Sequence, residues 1–208
     1  MGGHVGASHV GTIATAQAAP GGAPSVRHVT LRDGALLRVR PIGPDDEPRL
    51  RTLFGRLSRR TIYQRFFRPY DRLPEEWYRR FANVDHVTRL AIVAEEPGVD
   101  DPPLRAVARY EPGGAPGVAE VAVVVEDAWQ GRGLGPVLLD ALLAEGEARG
   151  VHTFTADVLA HNRPMLRALS RVAHVRRRAL DGDVLTLEFE RAYAIGAPGR
   201  RKEARPWP

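Results

Sequence analysis

Apolar residues along the chain fall into short runs with two different spacings. The most strand-like run covers 118–125, where seven of eight positions are apolar. The next run, over 133–149, places its leucines, valines and alanines on one face of a helix, and Gly150 ends it. The same patterns predict further strands over 35–42, 89–94, 104–110, 151–158 and 183–189, and helices that begin near Pro44, Arg59, Pro74 and Arg163. This order of elements indicates a mixed α/β domain rather than a regular βαβ series.

Both ends of the chain depart from this pattern. Residues 1–27 are mostly Gly, Ala, Pro and small polar residues, and 191–208 mix Pro and Gly with basic residues. We expect a disordered N-terminal tail over 1–27, one domain over 28–190 and a flexible basic C-terminal tail over 191–208. The net charge of +5 divides into +1, 0 and +4 over these three segments. A nucleic-acid-binding domain carries its basic face on the folded part, so this distribution argues against a nucleic-acid partner.

Several classes of chemistry are excluded by residue content. The chain has no cysteine, which excludes a disulfide, a thiolate nucleophile and a cysteine-ligated zinc site. Its seven histidines form no H-x-x-x-H pair on a predicted helix, so we expect no metal cofactor. No basic residue precedes Arg27, and no run approaches the ~18–20 apolar residues of a membrane span. After these exclusions, we expect a cytoplasmic enzyme or binding module without a membrane partner.

One segment has the composition of a ligand-binding loop. Between the strongest strand and its following helix stands Gln130-Gly131-Arg132-Gly133-Leu134-Gly135. Glycines let the backbone approach a ligand, and the N-terminus of a helix offers unpaired N–H groups and a positive dipole. These features indicate a cradle for a diphosphate. The spacing differs from the dinucleotide fingerprint G-x-G-x-x-G, and no Lys-Ser/Thr pair follows as in a P-loop.

This segment and the strand before it resemble the acetyl-CoA-binding motif of the GNAT N-acetyltransferases, R/Q-x-x-G-x-G/A. The element order also resembles the GNAT (acyl-CoA N-acyltransferase) fold, a mixed central sheet flanked by helices, over roughly residues 29–190. More narrowly, the chain is similar to the catalytic domain of the bacterial Pat-type protein lysine acetyltransferases. The similar stretches are LRDG at 31–34, RPI and PDD within 40–46, RLS and YQRFF within 56–67, VD and RLAIVA within 84–94, AEVA at 119–122, and NRPM at 162–165.

The resemblance implies that acetyl-CoA is the co-substrate and that an amine attacks its thioester directly. It places the general base on Glu120, in the middle of an apolar strand where an unpaired carboxylate is costly. We expect the pantetheine arm to lie along the backbone of Val123 and Val125, where an N–H group would polarise the thioester carbonyl. The segment 130–135 would hold the diphosphate, and Asn162 would contact the cofactor as well as cap the helix after it.

Some of these assignments leave alternatives open. Glu120 could instead be a structural glutamate paired with an arginine, and Arg132 is either a phosphate contact or an exposed loop residue. Many small-molecule GNAT enzymes carry a tyrosine seven residues after the asparagine, where it protonates the departing thiolate. This chain has Leu169 there, and Ala173-His174 replaces the usual Gly-Phe. The sequence therefore assigns no general acid.

The sequence as a whole predicts an N-acetyltransferase that acts on lysine side chains of protein substrates. Family resemblance suggests acyl-adenylate-forming synthetases as such substrates. One alternative is a GNAT enzyme for a small-molecule amine or a peptide N-terminus. The other is a non-catalytic acyl-CoA-binding regulatory module. Both alternatives share the cofactor site.

Overall fold

The computed structural model describes residues 25–192, which form one mixed β-sheet with helices on both faces. The strands are β1 (Arg27–Thr30), β2 (Leu36–Pro41), β3 (Leu90–Glu95), β4 (Leu104–Pro112), β5 (Val118–Val125), β6 (Thr153–Leu159), β7 (Ala173–Asp181) and β8 (Val184–Arg191). The helices are α1 (Glu47–Arg56), α2 (Arg59–Phe66), α3 (Glu75–Ala82), α4 (Leu134–Glu147) and α5 (Arg163–Val172), with 3-10 turns at Pro44–Asp46 and Asp127–Trp129. In the part of the chain so described, no helix has the length and hydropathy that crossing a bilayer demands.

The strands lie in the order β1-β2-β3-β4-β5-β6-β8-β7, and only β5 and β6 pair in parallel among these neighbours. The two faces of the sheet carry separate apolar cores. Every residue of β3 is buried, and successive residues alternate between the cores. Leu90 and Ile92 pack with the leucines of α4, whereas Ala91 and Val93 pack with residues of α1, α2 and α3. The helices α4 and α5 thus cover one face, and the three N-terminal helices cover the other.

The hydrophobic pattern located all five helices and six of the eight strands in this range, with ends that differ by two residues at most, except that α1 begins three residues after Pro44, behind a 3-10 turn. It missed β1 and β7. These are the two edge strands of the sheet. β1 has four residues, and β7 contains the run Arg176-Arg177-Arg178 and is exposed along most of its length. The alternation that marks a half-buried strand is therefore weak in both.

The first and last strands in the chain, β1 and β8, each extend one residue beyond the predicted domain bounds. Arg27, which the sequence assigned to the N-terminal tail, begins β1 and pairs with Glu145 of α4 at 2.6 Å. Arg191, assigned to the C-terminal tail, ends β8 and pairs with Asp140 of α4 at 2.8 Å. These two ion pairs fix both strand ends to the domain. The remainder of both predicted tails lies almost wholly outside the described residues.

A buried ion-pair network joins α1 to the sheet. Glu95, at the end of β3, is fully buried and accepts hydrogen bonds from Arg38, Arg40 and Arg49 at 2.7, 2.8 and 2.6 Å. Arg40 and Arg49 also donate to the buried carboxylate of Asp46. Burial opposes ionisation of Glu95, but the three guanidinium groups lower its pKa to about 2. The network therefore stays charged at neutral pH and fixes the first helix on its face of the sheet.

Candidate active site

A cleft opens where the parallel strands β5 and β6 separate. Their register covers three residue pairs, in which Val118, Ala119 and Glu120 face Thr153, Phe154 and Thr155. Beyond Glu120 both strands continue, over 121–125 and 156–159, without further pairing to each other in the described structure. The backbone edge of β5 is consequently available in the cleft over those residues.

The backbone direction along β5 shows which residues face this cleft. Val118 accepts a hydrogen bond from Gly113 of the β4 side at 3.0 Å, and Glu126 donates to Arg105 at 2.9 Å. Because this direction alternates along a strand, the even-numbered residues point to β4 and the odd-numbered ones to the cleft. Val123 and Val125 therefore direct their N–H and C=O groups into the cleft. That is the position in which the sequence analysis expects them to meet an extended ligand.

The loop after β5 has the backbone geometry of an anion cradle. Gly131 and Gly133 adopt left-handed φ angles of +75° and +99°, which favour glycine. Gly133 precedes α4, whose first residue, Leu134, is fully buried and anchors the helix start. Gly135 follows in the first turn, where backbone N–H groups have no partner within the helix. A Cβ built at Gly131 meets only open space. These residues fit a bound diphosphate.

The two polar side chains of the loop, Gln130 and Arg132, each bind a different neighbouring element. The Gln130 amide donates to the hydroxyl of Thr61 at 3.1 Å and to the carbonyl of Val125 at 3.0 Å. Arg132 forms an ion pair with Asp33, and its guanidinium lies 4.0 Å from the centre of the Trp129 ring. The hydrogen bond from Arg132 lowers the pKa of Asp33. The side chain of Arg132 is thus engaged by the turn between β1 and β2, an arrangement that the sequence did not indicate.

Asp127 connects this loop to α2. Its carboxylate accepts hydrogen bonds from the backbone N–H and hydroxyl of Ser58, at 2.9 and 2.6 Å, and from the hydroxyl of Thr61 at 2.9 Å. Ser58 is also the N-cap residue of α2. Burial opposes ionisation, but these hydrogen bonds hold the pKa of Asp127 below its usual range. The start of α2 is therefore positioned by the turn that precedes the glycine loop.

Glu120 lies at the point where the cleft opens. It is directly opposite Glu111 of β4 and Thr155 of β6, and its side chain is exposed. Although Glu120 stands in the middle of an apolar strand, its side chain is not covered by the core. Within the described residues Glu120 has no ion-pair partner, which argues against a structural salt bridge. The carboxylate is accessible to an amine.

Two arginines lie on the same side of the sheet as this carboxylate. Arg65 of α2 and Arg109 of β4 line a depression of about 260 Å³, part of it open to solvent, together with Ala122, which shares the strand face of Glu120. Burial lowers the pKa of Arg65 to about 10, so it remains cationic at neutral pH. Arg109 pairs with Glu111. Neither arginine is among the site residues predicted from the sequence, although a charged residue within the apolar run 104–110 was a signal for Arg109.

The remaining site residues belong to α5 and its end. Asn162 is buried and caps α5, because its side chain accepts a hydrogen bond from the backbone of Met165 at 3.2 Å. The capping role is confirmed, and the cofactor contact stays a prediction. Leu169 is fully buried in the core, and His174 is exposed at the start of β7. Neither Leu169 nor His174 is assigned as a general acid. Between residues 25 and 192, no three side chains of the His, Asp and Glu types form a group suited to a metal ion.

Comparison with known proteins agrees with this geometry. The model of the acetyltransferase (GNAT) family matches residues 57–173, from the end of α1 to the start of β7. The chain belongs to the GNAT acetyltransferase family. The mixed sheet with its separated β5 and β6 is thus the GNAT fold, as the resemblance implied, and acetyl-CoA is the acetyl donor that this family uses.

Three relatives show how far the similarity extends. The GNAT domain of PAT from S. lividans is 36% identical with a TM-score of 0.71, over 79% of this chain and 96% of that one. Acetyltransferase Pat from Mycolicibacterium smegmatis is 34% identical over 164 residues, which cover 76% of this chain. The chain spans 47% of that relative, about half its length. A putative acetyltransferase from Salmonella typhimurium, solved with its cofactor acetyl-CoA, is 21% identical with a TM-score of 0.55 over 78% of this chain and 98% of that one, and supports the fold.

Proposed function

We propose that this enzyme acetylates lysine side chains of protein substrates in the cytoplasm, with Glu120 as the general base. The observation that carries the proposal is the exposed carboxylate of Glu120, without an ion-pair partner in the described structure, beside a cleft lined by the backbone of Val123. Similarity to Pat from M. smegmatis and to the GNAT domain of PAT from S. lividans supports the substrate class. Acyl-adenylate-forming synthetases are the acceptors that we expect.

The donor site is built mainly from backbone groups. The N–H groups of 131–135 would hold the diphosphate at the start of α4, and Val123 and Val125 would bond the pantetheine arm as an added strand would. Asn162 would contact the cofactor from the start of α5. Bound acetyl-CoA supplies an acetyl thioester whose carbonyl carbon forms the new bond to nitrogen and whose sulfur leaves as the thiolate.

The acceptor needs a base because a lysine amine is protonated at neutral pH, with an ordinary pKa of about 10.4. Glu120 accepts that proton, either directly or through one water molecule, and leaves the nitrogen lone pair free to attack. The N–H of Val123 polarises the carbonyl during the attack, a role that requires no particular side chain. The proton that returns to the thiolate has no assigned donor, since Leu169 is buried in the core.

The first experiment measures thiol release from acetyl-CoA with a lysine-rich protein mixture and, separately, with a panel of small amines. Mass spectrometry then locates the modified residues. Glu120→Gln should lower kcat by about 10²–10⁴-fold, the usual contribution of a positioned base. Its Kd for acetyl-CoA, measured by calorimetry, should not change. The matched control is Glu188→Gln, because Glu188 stands on the same sheet face, opposite Thr155 of β6, and has no role in the proposed reaction.

Each outcome separates the candidates. Lysine acetylation that disappears in Glu120→Gln and persists in Glu188→Gln supports both the substrate class and the base. Turnover on small amines alone would agree with the family and the cofactor but would contradict lysine side chains of proteins as the substrate class. Acetyl-CoA binding without turnover on either set favours a regulatory module. Unchanged turnover in Glu120→Gln overturns the assignment of the base.

A further inference from the structure

One arginine that the fold shields from water has no carboxylate partner. Between residues 25 and 192, thirteen arginines are buried or half-buried, and twelve of them form an ion pair with Asp or Glu. Arg65 of α2 is the exception, because it has neither an ion pair nor a hydrogen bond within the described structure. Its guanidinium carbon lies 4.9 Å from the centre of the Phe66 ring. A shielded charge without a partner is costly to the folded state, so Arg65 is suited to bind an anion that the chain itself does not supply.

Helix α2 places Arg65 over β5. Thr61, near the start of α2, donates a hydrogen bond to Asp127 at 2.9 Å, just after β5 ends. Arg65 follows four residues later, one turn along the same helix face. There it lines the depression described above together with Ala122 of β5. The helix therefore runs back along β5 from its end, and Arg65 lies on the sheet face that carries Glu120.

The strand register determines which charged groups surround this depression. Arg109 of β4 is directly opposite Ala122, and both line the depression. Glu111 is directly opposite Glu120 on the same face. The carboxylate of Glu111 is already paired, with Arg109 on its own strand and with Arg89 at 2.6 Å. The charge of Arg109 is therefore compensated by β4 itself, and no carboxylate of β4 is left for the arginine of α2.

Arg65 remains charged and within electrostatic range of the proposed base. Burial, the largest influence, and Arg109 lower the pKa of Arg65 to about 10, while Glu120 and Glu111 act in the opposite direction. The guanidinium is consequently cationic at neutral pH. It forms no ion pair with Glu120, so its N–H groups are available to a ligand beside that carboxylate.

The walls of the depression favour an ion pair. Its other six lining residues are apolar, among them Phe54 of α1, Phe81 of α3 and Val107 of β4. Apolar walls strengthen an ion pair because they keep water away from it. A guanidinium presents parallel N–H groups that match the two oxygens of a carboxylate. A carboxylate is therefore the ligand group that this site fits.

The proposed reaction increases the need for such a group. Of the two carboxylates that act on the pKa of Arg65, Glu111 is paired and Glu120 is the proposed base. When Glu120 takes the proton of the amine it becomes neutral, and Arg65 loses the opposing charge. A carboxylate on the acceptor would restore the balance at this step.

We propose that Arg65 binds a carboxylate of the acceptor, one carried close to the amine that Glu120 deprotonates. The inference rests on the proposed function for the reaction at Glu120, and it adds a class of acceptor. Ala122, beside Arg65, is two residues from Glu120, about 7 Å along β5. An Asp or Glu within two positions of a lysine can place its carboxylate at that distance from the lysine nitrogen. The preferred acceptor is therefore a lysine with an acidic neighbour in the sequence.

The test uses two peptides with one lysine each, flanked on both sides by glutamate in the first and by glutamine in the second. We expect the wild type to show about 10- to 100-fold higher kcat/KM on the glutamate peptide, chiefly through a lower KM, which is the usual effect of one hydrogen-bonded charge pair. Arg65→Met should have nearly equal kcat/KM on the two peptides, and Arg65→Lys should restore part of the preference. The control Arg60→Met changes an exposed arginine of the same helix and should keep the preference.

The free energy of unfolding distinguishes a binding role of Arg65 from a structural one and requires no acceptor. Because a shielded charge without a partner destabilises the folded state, Arg65→Met should be at least as stable as the wild type in urea. Arg105→Met is the matched comparison, since Arg105 is paired with Glu96 and Glu126 and its loss should lower the stability. A less stable Arg65→Met, or a weaker Kd for acetyl-CoA in that variant, would overturn the proposal.

A second pair of acceptors, γ-aminobutyrate and its amide, separates this proposal from the proposed function. Equal acetylation of the two peptides by the wild type, or a preference that Arg65→Met keeps, refutes the role of Arg65 and leaves the lysine substrate intact. If only the small amines react, a preference for the acid that Arg65→Met loses supports Arg65 and contradicts the lysine substrate, and no preference contradicts both. If no acceptor reacts, calorimetry with the two peptides decides. Tighter binding of the glutamate peptide, lost in Arg65→Met, supports the site, and equal binding refutes it.

Discussion

Replacing Glu95 by glutamine should reveal how much the buried network beneath α1 contributes to folding. The substitution keeps the shape of the side chain and removes the charge that Arg38, Arg40 and Arg49 share. Arg40 and Arg49 retain Asp46, and Arg49 also keeps an ion pair with the exposed Asp101 at 3.4 Å, so two largely buried guanidinium groups are left with one buried carboxylate between them. An uncompensated charge of this kind is the costly result of breaking a buried ion pair.

The magnitude follows from the pKa of Glu95. The arginines lower it from an ordinary value of 4.5 to about 2, a difference of about 2.5 pH units. At about 1.4 kcal/mol for each unit, the charged form stabilises the folded state by roughly 3 kcal/mol. This agrees with the ~3–5 kcal/mol expected when one partner of a buried pair is removed. Because the folded pKa is the lower one, the contribution is complete above pH 4.5 and is lost as the pH falls toward 2.

Urea unfolding of the wild type and Glu95→Gln, followed by circular dichroism at pH 7, 5, 4 and 3, measures this contribution. We expect a difference of roughly 3 kcal/mol in the free energy of unfolding at pH 7, which narrows below about pH 4.5. The neighbouring Glu96→Gln is the control. Glu96 is partly exposed and pairs with Arg105, so its loss should cost under about 1 kcal/mol. A Glu95→Gln difference below about 1 kcal/mol at pH 7, or one that does not change with acid, would refute the reasoning.

Three further substitutions test the site. Asn162→Ala removes the N-cap of α5 and should lower the free energy of unfolding by about 0.5–2 kcal/mol, measured by urea titration, with Asn162→Ser as the conservative control. Gly133→Ala forces an L side chain into a φ of +99°, which costs about 1–2 kcal/mol, so calorimetry should show weaker acetyl-CoA binding; an unchanged Kd would contradict a cradle of fixed backbone geometry. Asp127→Ala frees the start of α2 at Ser58, and we expect KM for the lysine acceptor to rise more than Kd for acetyl-CoA in steady-state and calorimetric assays.

The sequence predicts most of this fold because the information is local. Period-3.6 stripes and glycine stops are properties of adjacent residues, and the predicted start near Arg163 is where α5 begins. The hydrophobic pattern missed the edge strands β1 and β7 for the opposite reason. The identity of β7 as a strand depends on pairing with β8, which no alternation within 173–181 records. Such a strand is evident only after its partner is known.

The candidate site likewise contains features that adjacent residues predict and features that depend on distant parts of the chain. The backbone chemistry of the glycine loop was predictable, because positive φ angles and a helix start follow from the residues themselves. The surroundings of Glu120 were not, since the period of two along β5 gives the face of a side chain but not what covers it. Its exposure depends on which helices cover that face of the sheet, and the contact of Asp127 with Ser58 spans 69 residues. Neither the exposure of Glu120 nor the contact of Asp127 with Ser58 can be recognised from the adjacent residues.

The contacts that hold the glycine loop differ in strength. The difference affects how binding of the acceptor and binding of acetyl-CoA depend on each other. The ion pair between Arg132 and Asp33 is partly exposed to solvent, where such pairs contribute little. Asp127 accepts three hydrogen bonds from the start of α2, and Gln130 reaches the same Thr61 hydroxyl. The glycine loop is therefore held chiefly by α2, the helix that also carries Arg65 on the sheet face of Glu120. An acceptor that shifts α2 must shift the donor loop with it, so the affinities for acceptor and acetyl-CoA should depend on each other.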